Sequence, residues 1–135
     1  PAIFTVEPHG CDAMAASLAA GERVAVEPGP TLADGLKPVR VGALNFEIAR
    51  RDVTGSFHVD DDELGRALVS VLARAKILVE PSGAAGVAAA LRDAAVLRER
   101  LGVDDRPLRI GVMLTGGNVD LARVAELLER WGAQA

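Results

Sequence analysis

Ile110-Gly-Val-Met-Leu-Thr-Gly-Gly-Asn-Val-Asp120 is the stretch on which the fold turns. Ile110 to Leu114 is a continuous apolar run, the pattern of a strand buried on both faces. It leads through Thr115-Gly-Gly-Asn118 into a helix expected from Asp120 to Trp131. The paired glycines let the backbone approach a ligand closely, and Thr115 presents a hydroxyl beside them. A tight strand-to-helix turn with no ligand uses the same residues, so this segment alone leaves the choice open.

The same alternation recurs toward the N-terminus. Ile77 to Val79 is a short apolar run stopped by Glu80-Pro81, after which Ser82 can cap a helix whose apolar face includes Val87, Ala88 and Leu91. The small residues Gly83 to Gly86 permit close backbone approach. Glu80-Pro-Ser-Gly-Ala-Ala85 thus sets a carboxylate at a strand end and a helix N-terminus able to face an anion. A solvated glutamate and an ordinary serine cap fit the same residues. Asp60-Asp-Asp-Glu63 opens a helix running to about Ala75, its first-turn carboxylates suited to the positive end of the helix dipole. Leu64, Ala67, Leu68, Val71 and Leu72 fall on one inward face of it.

Asn45 to Ala49 and Gly55 to Val59 each read as short strands. Residues 22–40 are broken by Pro28, Gly29, Pro30, Gly35 and Pro38, a loop with one helical turn at Thr31-Leu-Ala-Asp-Gly35. Ile3 to Val6 is a strand closed by Glu7-Pro-His-Gly10; Asp12 caps and Gly21 stops a helix from Ala13 to Ala20. Strands alternating with helices, the strands apolar throughout, predict an α/β fold in which a parallel twisted sheet carries helices on both faces. Residues 1–135 are expected to be one domain. Ligands in such sheets sit beyond the carboxyl ends of strands, where three polar loops fall: Glu7 to Asp12, Glu80 to Gly83 and Thr115 to Asn118.

Bulk properties exclude several roles. Half of the 135 residues are apolar, enough to bury a core. The net charge of -4 is spread over interspersed acids and bases with no basic stripe, so nucleic acid is not an expected partner. The apolar runs are far shorter than the roughly 20 residues of a membrane helix, and no leader opens the chain, so a soluble cytoplasmic protein is expected. Cys11 alone cannot form an internal disulfide, and His9 and His58 alone cannot build an ordinary zinc cluster. Only Lys37 and Lys76 stand against thirteen arginines, which limits any chemistry through an amine nucleophile. Pro1-Ala-Ile-Phe-Thr-Val-Glu7 opens on a strand without methionine or cap, and reads as a chain cut inside a larger protein.

Four segments occur together in a telling order: Val6-Glu-Pro8, Thr31-Leu-Ala-Asp-Gly-Leu36, Lys76-Ile-Leu-Val-Glu-Pro-Ser-Gly-Ala-Ala85 and Leu114-Thr-Gly-Gly-Asn-Val-Asp120. In order and approximate spacing they resemble the serine/threonine dehydratases, pyridoxal-phosphate enzymes of the tryptophan-synthase-like class (fold type II). The resemblance spans essentially the whole chain. It implies that Thr115 hydrogen-bonds the cofactor's pyridine nitrogen, with Gly116 beside it, and that Glu80 and the Gly35 backbone line the ring. It implies a nucleotide-binding role for Lys76 and Asn118, as in the racemase branch. It also implies a divalent-cation site using Glu7 and the Cys11 carbonyl, but Ala13 stands where that site's second carboxylate belongs, so weak cation binding is expected.

The resemblance further implies what lies elsewhere. The family's cofactor-anchoring lysine and glycine-rich phosphate loop belong to a portion preceding such a chain, and neither Lys37 nor Lys76 has the neighbours of that lysine. No regulatory domain is expected after Trp131-Gly-Ala-Gln-Ala135. The expected protein is therefore the C-terminal part of an enzyme converting L-serine or L-threonine to a 2-oxo acid and ammonia. Its expected partners are the missing N-terminal half, a small amino-acid substrate and further copies of itself. The family includes serine racemases and hydroxyaspartate dehydratases, so the substrate stays open. The alternative is a non-catalytic small-molecule-binding or interaction module built on the same fold.

Overall fold

The computed structural model describes residues 1–103 and 106–132. The end of the Trp131 to Ala135 stretch lies outside the described residues. The elements are β1 (Ile3–Pro8), α1 (Ala13–Ala20), a 3-10 turn (Asp34–Leu36), α2 (Ala43–Asp52), β2 (Val53–Val59), α3 (Asp61–Ser70), α4 (Pro81–Arg92), α5 (Ala94–Leu101) and α6 (Leu121–Trp131). A π-helical turn, Val71–Ala75, continues α3.

β1 and β2 pair in parallel, Val6 opposite Phe57 and Glu7 opposite His58. The fold is α/β with a parallel sheet, as the alternation of elements predicts. The two strands are not apolar throughout, however. Phe4, Val6, Phe57 and Val59 face the main core, whereas the opposite face carries the Thr5 to Ser56 hydroxyl hydrogen bond of 2.7 Å and Glu7, which reaches α1. Period-2 alternation is the mark of a strand with one apolar face.

That main core joins the sheet to α3 and α4 through Leu64, Ala67, Leu68, Ala84, Ala85 and Ala88. Leu64 and Leu68 are fully buried, as their spacing requires, while Leu72 is half-buried. An Asp60–Glu63 capping box starts α3, satisfying backbone N–H groups that the first turn leaves without partners. At the far end of α4, Arg92 grips Asp93 and Glu63 together. The Asp93 hydrogen bond first, and then Glu63, hold its guanidinium above even its usual high range. α6 lays Val124, Leu127 and Trp131 inward; the indole lies so close to Gly65 that a Cβ there would stand 2.5 Å from the ring. A smaller apolar cluster of Ala13, Val41 and Phe46 joins α1 and α2.

Several expectations from the sequence are corrected. Neither Ile77 to Val79 nor Ile110 to Leu114 forms a strand; β1 and β2 are the strands among the described residues. Asn45 to Ala49 is not a strand but lies inside α2. Five residues fit either period, and burial of Phe46 and Ala49, three apart, together with a Glu47–Arg50 ion pair of 2.7 Å, settles it as helix. Ser82 does not cap α4, because Pro81 occupies its first position and Glu80 is the cap residue. Leu91 is exposed rather than on the inner face of α4; the helix ends one residue later and its buried stripe stops at Ala89. The Ile110 to Leu114 run is not buried on both faces: Ile110, Met113 and Leu114 are 43%, 82% and 37% exposed. Among the described residues it has no strand beside it, and a buried strand needs such neighbours to take up its backbone hydrogen bonds. α5 was not foreseen in the sequence.

Candidate functional site

Glu80 organises the site. Its non-helical backbone (φ -79°, ψ 163°) ends the 77–79 run and begins α4. Its N–H donates to the Gly116 carbonyl at 3.3 Å, and its Oε2 accepts from the Asn118 N–H at 3.2 Å. Main chain and side chain together clamp the Thr115 to Asn118 loop onto the N-terminus of α4. Gly116 has φ +78°, left-handed backbone that favours glycine; a Cβ there would lie 2.5 Å from Glu80 Oε1. From the other side, a Cβ on Gly83 would lie 2.2 Å from the Thr115 carbonyl oxygen. Glycine at both positions is what lets the loop and the helix touch.

Gly35 is brought to the same place. Its N–H donates to Ser82 Oγ at 3.0 Å, and a Cβ on it would stand 2.9 Å from that oxygen and 3.5 Å from Glu80 Oε1. The loop carrying Gly35 is pinned further back by Asp61, whose Oδ1 accepts from Thr31 Oγ1 at 2.7 Å and from Leu32 N–H at 2.8 Å. Ser82 and Asp61 are the two residues that reading the sequence missed. The first had a signal: a serine behind proline at the first helical position is free to bond elsewhere. The second had none, since its partners lie about thirty residues away.

The structure therefore gathers Gly35, Glu80, Thr115, Gly116 and Asn118, drawn from three separate stretches, into one cluster. Thr115 is exposed and borders an open, mainly apolar cleft of about 720 Å³ bounded also by Phe4, Leu36, Phe57, Gly83 and Val112. Lys76 is exposed and sits at the opposite end of the 77–79 run, in left-handed backbone (φ 59°), its ammonium donating to the Ala73 carbonyl. Glu7 and Cys11 lie apart, around the end of β1. Glu7 is bonded to α1, and Cys11 is buried with its thiol 3.5 Å from the Gly29 carbonyl. Asp12 does not cap α1, since its side chain makes no cap hydrogen bond and instead lies 3.3 Å from His58 Nε2.

Known proteins share this arrangement of chain. The family model described as pyridoxal-phosphate dependent enzyme matches residues 1–116. Serine racemase of Dictyostelium discoideum is 35% identical over 128 residues, 93% of this chain and 37% of the relative. L-threonine ammonia-lyase of Thermotoga maritima is 30% identical over 128 residues, 95% of this chain and 30% of the relative. The solved structure of maize serine racemase superposes with a TM-score of 0.79 at 34% identity, over 96% of this chain and 39% of that one. The chain thus spans about a third of the length of the relatives it matches. With a matching family model over most of its length, it belongs to the pyridoxal-phosphate dependent enzymes, within the fold type II group of serine/threonine dehydratases.

Proposed function

We propose that this chain forms the ring-binding part of a pyridoxal-phosphate-dependent ammonia-lyase that deaminates L-serine or L-threonine to a 2-oxo acid and ammonia. The observation that carries the reading is the convergence of Gly35, Glu80 and Thr115–Gly116 in one cluster whose Thr115 borders the cleft. The residues present fit the cofactor's ring: Thr115 brings a hydroxyl to the border of the mainly apolar cleft, which Leu36, Gly83 and Val112 help to wall. Family members use pyridoxal phosphate, which when bound supplies an electron sink that acidifies the substrate's Cα–H.

Each residue has a part of its own. Gly35 presents backbone, its N–H already committed to Ser82 Oγ. Glu80 holds the glycine loop in place through the Gly116 carbonyl and the Asn118 N–H. Thr115 would hold the ring by donating its hydroxyl hydrogen to the pyridine nitrogen, and as a neutral group it would not keep that nitrogen protonated as a carboxylic acid would. Held in this way, the cofactor would supply a weaker electron sink, chemistry suited to β-elimination. The small amino-acid substrate and the rest of the enzyme complete the site. Exposed Ile3, Leu101, Ile110 and Met113, which all border the cleft, support assembly with further chain, including other copies of the protein.

Racemisation of serine is the second reading, favoured by the likeness to serine racemases. One experiment separates the two. The full-length protein is incubated with L-serine and with L-threonine, with 2-oxo acid, ammonia and D-amino acid measured together. The proposal expects 2-oxo acid and ammonia in equal amounts and in excess over D-serine. D-serine as the main product would favour the second reading, and no product of either kind would sink both.

A further inference from the structure

The carboxylate of Glu7 is 8% exposed as a residue and has both oxygens in use. Oε1 accepts from the Met14 N–H at 2.9 Å and Oε2 from the Ala15 N–H at 2.8 Å. These amides lie in the first turn of α1, where N–H groups have no partner inside the helix. The cap residue normally supplies that acceptor. Here Asp12 stands at the cap in a conformation (φ -110°, ψ 43°) that gives no cap hydrogen bond. Glu7 does the capping from the end of the neighbouring strand, and its negative charge sits at the positive end of the α1 dipole.

The resemblance to dehydratases implies a divalent cation at this place, and the donor set does not fit one. Magnesium or calcium takes about six or more oxygens and usually more than one carboxylate. The second carboxylate is replaced by Ala13, which is fully buried. Among the described residues no group of three or more His, Cys, Asp and Glu is placed to hold a metal ion. We infer that in this chain the α1 N-terminus takes the place of the cation as the partner of Glu7, so that the 7–15 segment folds and stays folded without metal.

The test uses the full-length protein, first stripped with chelator and then given magnesium or calcium chloride alone. Hydrogen exchange is read at the Met14 and Ala15 amides, and thermal unfolding and titration calorimetry are run beside it. The expected result is that both amides are protected in chelator, that neither metal changes the melting temperature, and that no saturable heat involving Glu7 appears below about 1 mM metal. Glu7→Gln, which keeps one acceptor oxygen, is expected to speed exchange at one of the two amides equally with and without metal. The inference is overturned if the two amides gain protection only when metal is added. It is equally overturned by tight binding that Glu7→Gln abolishes. Should Glu7→Gln fail to fold, the exchange of the unsubstituted protein in chelator and in metal still decides.

Discussion

Gly83→Ala puts the contact between α4 and the Thr115 loop under direct load. Gly83 is the third residue of α4, and an alanine in a helix ordinarily stabilises by about 0.5–1 kcal/mol over glycine. Here the added carbon would stand 2.2 Å from the Thr115 carbonyl oxygen and 3.0 Å from that of Gly116. A normal carbon-to-oxygen contact is more than 3 Å, so the loop must retreat from the helix by about 1 Å. Inserting a methyl group into a closed contact costs about 1–3 kcal/mol, and a backbone obstacle puts this case toward the upper end. Subtracting the helical gain leaves a net loss of about 1–2 kcal/mol, a five- to thirtyfold change in an equilibrium constant at about 1.4 kcal/mol per decade. The assay is titration of pyridoxal phosphate onto the full-length protein, followed by visible absorbance, with the melting temperature of the cofactor-free form measured in parallel. Gly132→Ala is the control: a Cβ there meets nothing within 4 Å, at the end of α6 and outside the cleft lining. Cofactor binding should weaken markedly for Gly83→Ala and little for Gly132→Ala. Unchanged affinity with a raised melting temperature for Gly83→Ala would show that the loop does not rest on α4 as described.

Leu68→Ala removes a fully buried side chain from the α3–α4 core and should cost about 2–5 kcal/mol in denaturant unfolding, whereas Leu44→Ala, at a site 73% exposed, should stay within about 0.5 kcal/mol. Asp60→Ala breaks the capping box of α3 and should lower stability by about 1 kcal/mol in the same measurement. Asp61→Ala leaves Thr31 Oγ1 and the Leu32 N–H without their acceptor. A loss of about 1–3 kcal/mol is expected, together with weaker cofactor binding because Gly35 rides on that loop; affinity that stays unchanged would mean Ser82 alone holds Gly35.

Much of the fold was legible because the strong local signals agree with tertiary packing. The Asp60 to Glu63 cluster starts α3 where expected, and the 3.6-residue spacing of Leu64 and Leu68 foretells their burial. Asn45 to Ala49 reads as a strand from sequence because five residues cannot distinguish two periods, and the decision rests on Phe46 packing with Ala13 of α1. The Asp12 cap failed for a different reason: a residue's type permits a cap, but a better-placed carboxylate five residues earlier takes the amides. Ile110 to Leu114 shows the limit of hydropathy, since apolarity records what a segment is suited to bury against and not whether that neighbour lies within the chain. The resemblance rests on four segments in order, and three of them, those with Gly35, Glu80 and Thr115, meet in one cluster. The geometry of that cluster was not legible, because the closeness of Gly83 to Thr115 and of Gly116 to Glu80 depends on contacts more than thirty residues apart in sequence.

Thr115 is proposed to meet the pyridine nitrogen of bound pyridoxal phosphate, and cofactor binding by Thr115 variants of the full-length protein reads that contact. Thr115→Ala removes the donor and leaves a buried ring nitrogen unsatisfied, at a cost of about 1–3 kcal/mol. The cofactor dissociation constant should therefore rise by roughly five- to 150-fold, with deamination of L-serine falling alongside. Thr115→Ser keeps the hydroxyl and should restore most of the affinity. If Thr115→Ala binds cofactor and turns over substrate as the unsubstituted protein does, Thr115 is only a turn residue and the site has been misplaced.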